Sequence, residues 1–130
     1  MTKIHQTKRF ILRNLEPKDA EGMYELDSNP NVHTYLGNKP IKDIETCHKI
    51  LANVGGQYEK HGMGRWAIIE KETGAFVGWT GLKLETQVRD FDYYDVGYRL
   101  IEKYWGQGIA TETGLYSMYY GFTELNLPQI

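Results

Sequence analysis

The chain has 130 residues, of which 41% are hydrophobic and 25% charged, with a formal net charge of −2; this is the make-up of one domain, large enough to bury a core without staples. No Lys/Arg block offers a footprint for general nucleic-acid binding, no apolar run nears the roughly 18 residues that span a bilayer, and the opening residues lack a signal-peptide core. The single cysteine, Cys47, has no partner for an intramolecular disulfide, so a reducing, cytoplasmic setting is expected.

In chain order, residues 8–15 form a β-rich run that ends at Glu16-Pro17, and Pro17 suits the first turn of a helix over 17–26. Ser28-Asn29-Pro30-Asn31 is a turn cluster, and the aperiodic stretch to residue 40 predicts a loop or a broken helix. From Pro40, the residues Ile44, Cys47, Leu51, Val54 and Tyr58 recur at helical spacing. This second helix should fray or end at Gly55-Gly56, since each glycine costs about 1 kcal/mol relative to alanine. Cys47, on its apolar face, reads as a buried residue and not as a nucleophile.

Residues 65–70 and 75–84, joined by the turn-forming 71–74, predict an antiparallel hairpin. Residues 93–100 alternate, with Tyr94, Val96, Tyr98 and Leu100 on one side and Asp95, Gly97 and Arg99 on the other, which predicts a fourth strand. A third helix follows, with Leu115, Met118, Tyr119 and Phe122 as its oily face and Ala110, Gly114, Ser117 and Gly121 as a small-residue stripe. Residues 125–130 read as extended.

The chemistry concentrates in Tyr104-Trp105-Gly106-Gln107-Gly108-Ile109-Ala110-Thr111-Glu112. Two glycines between a strand and a helix start leave backbone N–H groups bare beside the positive end of a helix dipole, which is a site for a phosphate. A P-loop is excluded because Gly108 is followed by Ile109-Ala110 instead of Lys-Ser/Thr. A dinucleotide fingerprint fits poorly, with Thr111 in place of its third glycine and hairpins in place of a βαβ unit.

The order strand, helix, helix, hairpin, strand, phosphate loop, helix is similar to the GNAT N-acetyltransferase superfamily, and V-G-Y-R-L-I-E-K-Y-W-G-Q-G-I-A-T-E resembles its acetyl-CoA motif. The runs Tyr104 to Glu112, Arg9 to Arg13 and Phe76 to Leu82 resemble the RimJ/RimL-type branch in particular. The resemblance implies an α/β (α+β) fold with a mixed, mostly antiparallel sheet flanked by helices. It also implies that this chain lacks the closing C-terminal strands and fourth helix, which would leave an open sheet edge and favour a homodimer.

By the same resemblance, acetyl-CoA would be held by Trp105, Gly106, Gln107, Gly108, Ile109, Ala110 and Thr111 around its diphosphate, and by the backbone of Tyr98, Arg99 and Leu100 along its pantetheine arm. Trp105 stands where the broader superfamily has Gln or Arg, so no cationic contact is expected there. The implied activity is transfer of the acetyl group to a primary amine, a protein N-terminus or a small amine, by direct attack. Leu100 or its neighbour would supply an oxyanion-stabilising backbone N–H. Asp95 is the first candidate for the base, with pairing to Arg99 as its structural alternative and Glu70 as a weaker candidate. Trp79 and Tyr94 would line the acceptor pocket, and the acidic cluster Asp90, Asp92 and Asp95 offers attraction for a cationic amine. His33, His48 and His61 lack metal-ligand spacing, so no metal is expected. The competing reading is a catalytically silent acyl-CoA-binding module.

Overall fold

The computed structural model describes residues 4–33, 43–86 and 90–130. Five strands, β1 (His5–Gln6), β2 (Phe10–Asn14), β3 (Arg65–Glu70), β4 (Phe76–Glu85) and β5 (Tyr93–Leu100), form one sheet in sequence order. Every pairing among them is antiparallel, so the mixed sheet expected from the sequence is wholly antiparallel over the described residues. The two-residue β1 was not anticipated; it is a hairpin partner of β2, pairing His5 with Leu12.

Helices α1 (Ala20–Asp27), α2 (Pro30–His33) and α3 (Ile44–His61) precede β3, and α4 (Ile109–Thr123) follows β5. Pro17–Asp19 is a 3-10 turn, and Asp19 serves two neighbours there: it accepts from the Glu16 N–H at 2.8 Å and pairs with Arg13 at 2.8 Å. Residues 34–42, read as loop or broken helix and then as the start of the second helix, lie outside the described residues.

Helix α3 does not stop at Gly55-Gly56. It runs on to His61 because both ends are well made: Asp43 accepts from the Thr46 N–H at 2.9 Å, and Gly62 closes the last turn at φ 70°. Burial of Cys47, Leu51 and Val54 on one face supplies what the two glycines lose. Tyr58 near its end ties the helix to β3 and to Leu15, whose N–H donates to the phenol oxygen at 2.8 Å, and burial pushes that phenol up to about 12.

The sheet buries both faces. Leu15, Met23, Leu26, Cys47, Leu51, Ala67 and Ile101 form a core with α1 and α3 on one side, and Phe10, Leu12, Trp66, Ile68, Val77, Leu100 and Ile109 form another with α4 on the opposite side. Of the two faces of α4, the small-residue one, with Ser117 and Gly121, turns toward the sheet. Leu115, Met118, Tyr119 and Phe122 are exposed, at 64%, 37%, 60% and 43%, while Ile109, Thr113, Ser117 and Gly121 are buried. Close approach decides this, since a Cβ on Gly121 would come within 2.9 Å of the Leu82 side chain on β4. Residues 125–130 are not a strand; they fold back on the helix end, with the Leu127 N–H on the Gly121 carbonyl at 3.0 Å.

Candidate active site

Strand β5 ends the sheet, so one side of its backbone has no strand partner among the described residues. Ile101, just past the strand, donates its N–H to Val77 at 2.9 Å. Alternation along an antiparallel ladder then turns the Arg99 backbone toward β4 and leaves the N–H and C=O of Tyr98 and Leu100 facing the open edge. The Leu100 carbonyl is taken there by the Trp105 indole N–H at 2.9 Å, which fixes the outward direction independently. Of the three residues expected to present backbone groups, Tyr98 and Leu100 do so; Arg99 is committed to the sheet and contributes its side chain.

The loop after β5 turns through Glu102–Tyr104, a 3-10 turn, and reaches α4 by way of Gly106 and Gly108. Both glycines are left-handed, at φ 78° and 75°, a conformation that costs a side-chain-bearing residue about 1–2 kcal/mol. A Cβ on Gly106 would meet nothing within 4 Å, and one on Gly108 only Arg9, at 3.8 Å. The surface over this loop is therefore open, and the first-turn amides of α4 have no carbonyl four residues back within the helix.

Edge and loop together line a groove of about 1000 Å³. Tyr98, Arg99, Leu100, Trp105, Gly106, Gly108, Ile109, Ala110 and Thr111 all line it. Gln107 does not: its amide reaches back toward the Lys103 carbonyl, and its own carbonyl accepts from Arg9 at 2.9 Å. Spacing did not reveal Asn31 and Glu102 at the mouth of this groove. The Asn31 amide donates to both Glu102 oxygens, at 3.1 and 3.0 Å, and Asn29 adds a third bond at 2.9 Å. Hydrogen bonds from Asn29 and Asn31 hold the Glu102 carboxyl below the usual range.

The loop is pinned from the other end of the chain. Glu112 accepts from the Thr7 hydroxyl at 2.5 Å, from the Arg9 N–H at 3.0 Å and from Arg9 Nε at 2.7 Å. Burial works against its charge, but these donors outweigh it and leave its carboxyl below the usual value. The opening Arg9–Arg13 run and the Tyr104–Glu112 run, separate in sequence, are thus one assembly in space.

On the sheet face under α3 lies a second cavity, of about 460 Å³. Trp79 forms part of its wall, with the Arg65 guanidinium 5.1 Å and the Arg99 guanidinium 5.6 Å from the ring centroid. Tyr94 does not join it, because it sits at an even position of β5 and so on the opposite face from Arg99, Trp79's register partner. Among the described residues, Arg99 is the one that lines both cavities.

Asp95 shares the face of Arg99 but does not pair with it. Arg99 binds the buried Asp27 at 2.8 Å, and Asp95 is held by Arg65 at 3.0 Å. Arg65 reaches across three strands to do so, over the register line Arg65, Gly81, Gly97, where a Cβ on Gly97 would stand 3.2 Å from its guanidinium. Glu70 accepts from the Thr73 hydroxyl at the far end of the hairpin; neither Glu70 nor Asp95 is among the residues lining the two cavities, but Asp95 adjoins the one under α3 through Arg65.

A family model described as acetyltransferase (GNAT) domain matches residues 9–130. An uncharacterized N-acetyltransferase of Bacillus subtilis, YoaA, is 31% identical over 131 residues, covering 100% of this chain and 72% of that protein. The solved acetyltransferase of Agrobacterium tumefaciens is 25% identical with a TM-score of 0.80, over 97% of this chain and 70% of that one. RimL, the ribosomal L7/L12 alpha-N-protein acetyltransferase solved in complex with coenzyme A, is 16% identical with a TM-score of 0.70, over 94% of this chain and 70% of its own; that is a likeness of fold alone. Sheet, edge groove, glycine loop and family match agree, and the chain belongs to the GNAT acetyltransferases, enzymes that use acetyl-CoA as acyl donor.

Proposed function

We propose that this chain transfers an acetyl group from acetyl-CoA in the edge groove to a primary amine entering the cavity under α3, by direct attack in a ternary complex. The observation that carries this is the meeting of the two cavities at Arg99 on β5. The residues present suit the donor: a loop whose Gly106 and Gly108 leave open space above them accommodates a diphosphate, and the β5 edge, unpaired among the described residues, accommodates an amide-bearing arm as a further strand. When bound, acetyl-CoA supplies an acetyl group activated as a thioester.

The chain's own residues do the rest. The Leu100 N–H, directed away from β4, is the donor for negative charge developing on the acyl oxygen. An acceptor amine, with a pKa of about 8 to 10, must lose a proton before it attacks; Asp95 is the carboxylate on the acceptor face of β5 suited to receive it, directly or through water. Arg65 orients that carboxylate. Trp79 and Arg99 shape the wall on which the acceptor rests. Together, the Arg9–Arg13 and Tyr104–Glu112 runs, joined by Glu112, support assignment to the RimJ/RimL-type branch. No helix among the described residues is long and apolar enough to cross a membrane, and we assign the activity to the cytoplasm.

The test is steady-state transfer, read as acetylated product by mass spectrometry while both substrates are varied. Intersecting double-reciprocal lines, with Asp95→Asn lowering kcat more than it changes the KM for acetyl-CoA, are expected. Parallel lines would refute the ternary complex, and full activity in Asp95→Asn would remove Asp95 as the base. Acetyl-CoA binding without turnover of any amine would leave a silent acyl-CoA module, the reading favoured by the engagement of Asp95 with Arg65.

A further inference from the structure

We infer that the acceptor is a small amine that also carries an anionic group, a carboxylate or a phosphate, a conclusion that rests on reading the cavity under α3 as the acceptor site. Among the described residues its charged lining is lopsided: Lys49, Arg65, Lys83 and Arg99 are cations, and Asp27 is the single acid. Asp27 is 2% exposed and already bound by Arg99 Nη1 at 2.8 Å. Asp95 and Glu85 offset Arg65 and Lys83 from outside the lining. Lys49 makes no salt bridge among the described residues, and its acidic neighbour is the exposed Asp43 at the start of α3. Arg99 Nε is buried without a hydrogen-bond acceptor among the described residues, while the side chain lines both cavities and sets its cation where they meet.

With Arg65, Lys83 and Arg99 each paired, the excess charge of the lining is that of Lys49, which disfavours an amine that brings only positive charge. It also favours the neutral form of an amine held within it, because nearby cations disfavour protonation. The reactive group thus gains nucleophilicity and loses electrostatic attraction together, and an anionic group on the same molecule restores the binding. A volume of about 460 Å³ suits a small molecule, and Trp79 with Ile50 and Val54 offers its body an apolar wall.

The test is binding to the cofactor-free chain, followed by NMR at the Trp79 indole N–H, assigned through Trp79→Phe. Ethanolamine, putrescine, β-alanine and O-phosphoethanolamine are titrated at constant ionic strength; the last two distinguish carboxylate from phosphate. Either anionic amine should bind about tenfold or more tightly than ethanolamine, with putrescine weakest. Lys49→Glu and the milder Lys49→Gln, checked for fold by circular dichroism, should erode that preference in that order of severity. Equal or tighter binding of putrescine or ethanolamine, no response to any of the four amines, or an unchanged preference in both Lys49 variants would overturn the inference. A chain that prefers the anionic amines but does not bind acetyl-CoA keeps this site and loses the transferase reading. One that binds acetyl-CoA yet prefers putrescine keeps the transferase reading and loses this inference.

Discussion

Replacing Glu112 by glutamine should destabilise the protein in a pH-dependent way and loosen the loop that α4 presents to the groove. The carboxylate accepts three hydrogen bonds, from the Thr7 hydroxyl, the Arg9 N–H and Arg9 Nε. Glutamine keeps one acceptor oxygen and turns an NH2 toward at least one of these donors. Bonds to a charged acceptor are worth about 1.5–3 kcal/mol and neutral ones about 0.5–1.5. With Arg9 at 41% exposure the charged contribution is discounted, and a loss of about 2 kcal/mol remains. For a domain of this size that lowers Tm by roughly 6–8 °C. The Glu112 carboxyl titrates below its ordinary value, so its stabilisation is complete above the unfolded-state pKa and is lost as pH falls through the lowered folded-state pKa. Urea unfolding of both proteins at neutral and acidic pH should show the full gap near pH 7 and a shrinking one below about pH 4. Equal stability at pH 7, or a gap that ignores pH, would refute this account of Glu112.

Other substitutions probe the packing. Ser117→Leu should cost several times more stability than Leu115→Ser, on the order of 2 kcal/mol against a few tenths, because Ser117 is fully buried and Leu115 is 64% exposed; comparable urea midpoints would mean that the helix face has been misassigned. Gly78→Ala should cost roughly 3 kcal/mol or more in the same assay, since φ is 154° and the new Cβ would stand 2.1 Å from the Arg99 carbonyl oxygen. Cys47 is fully buried and its thiol is pushed up by that burial, so iodoacetamide should leave the native protein unlabelled and modify it in urea; rapid native labelling would contradict the described core.

Local patterns that agree with their surroundings were readable in advance. Residues 71–74 marked the hairpin, and strict alternation over 93–100 separated the two sides of β5 because it is half-buried on each. The loop was readable from Gly106 and Gly108 because their left-handed backbone excludes nearly every other residue. Which face of α4 packs on the sheet was not settled by its pattern, since its apolar residues point one way and the need for small side chains against β4 points the other; Gly121 against Leu82 shows which won. Pairings over long separations were out of reach. Asp95 and Arg99 stand four residues apart on one face, yet their partners are Arg65 and Asp27, 30 and 72 residues distant. The link from Thr7 and Arg9 to Glu112 was hidden for the same reason, although both runs were singled out separately.

Calorimetric titration of the chain and of its Gly108→Asp variant with acetyl-CoA, with CoA, ATP and NAD as comparisons, tests the central claim most directly. The native chain should bind acetyl-CoA and CoA saturably and show no comparable affinity for ATP or NAD. The variant, which puts a side chain and a negative charge into the open space over the loop, should bind about tenfold or more weakly. No binding by the native chain, equal affinity for ATP or NAD, or full affinity in the variant would contradict the assignment of the β5 edge and its glycine loop as the acetyl-CoA site.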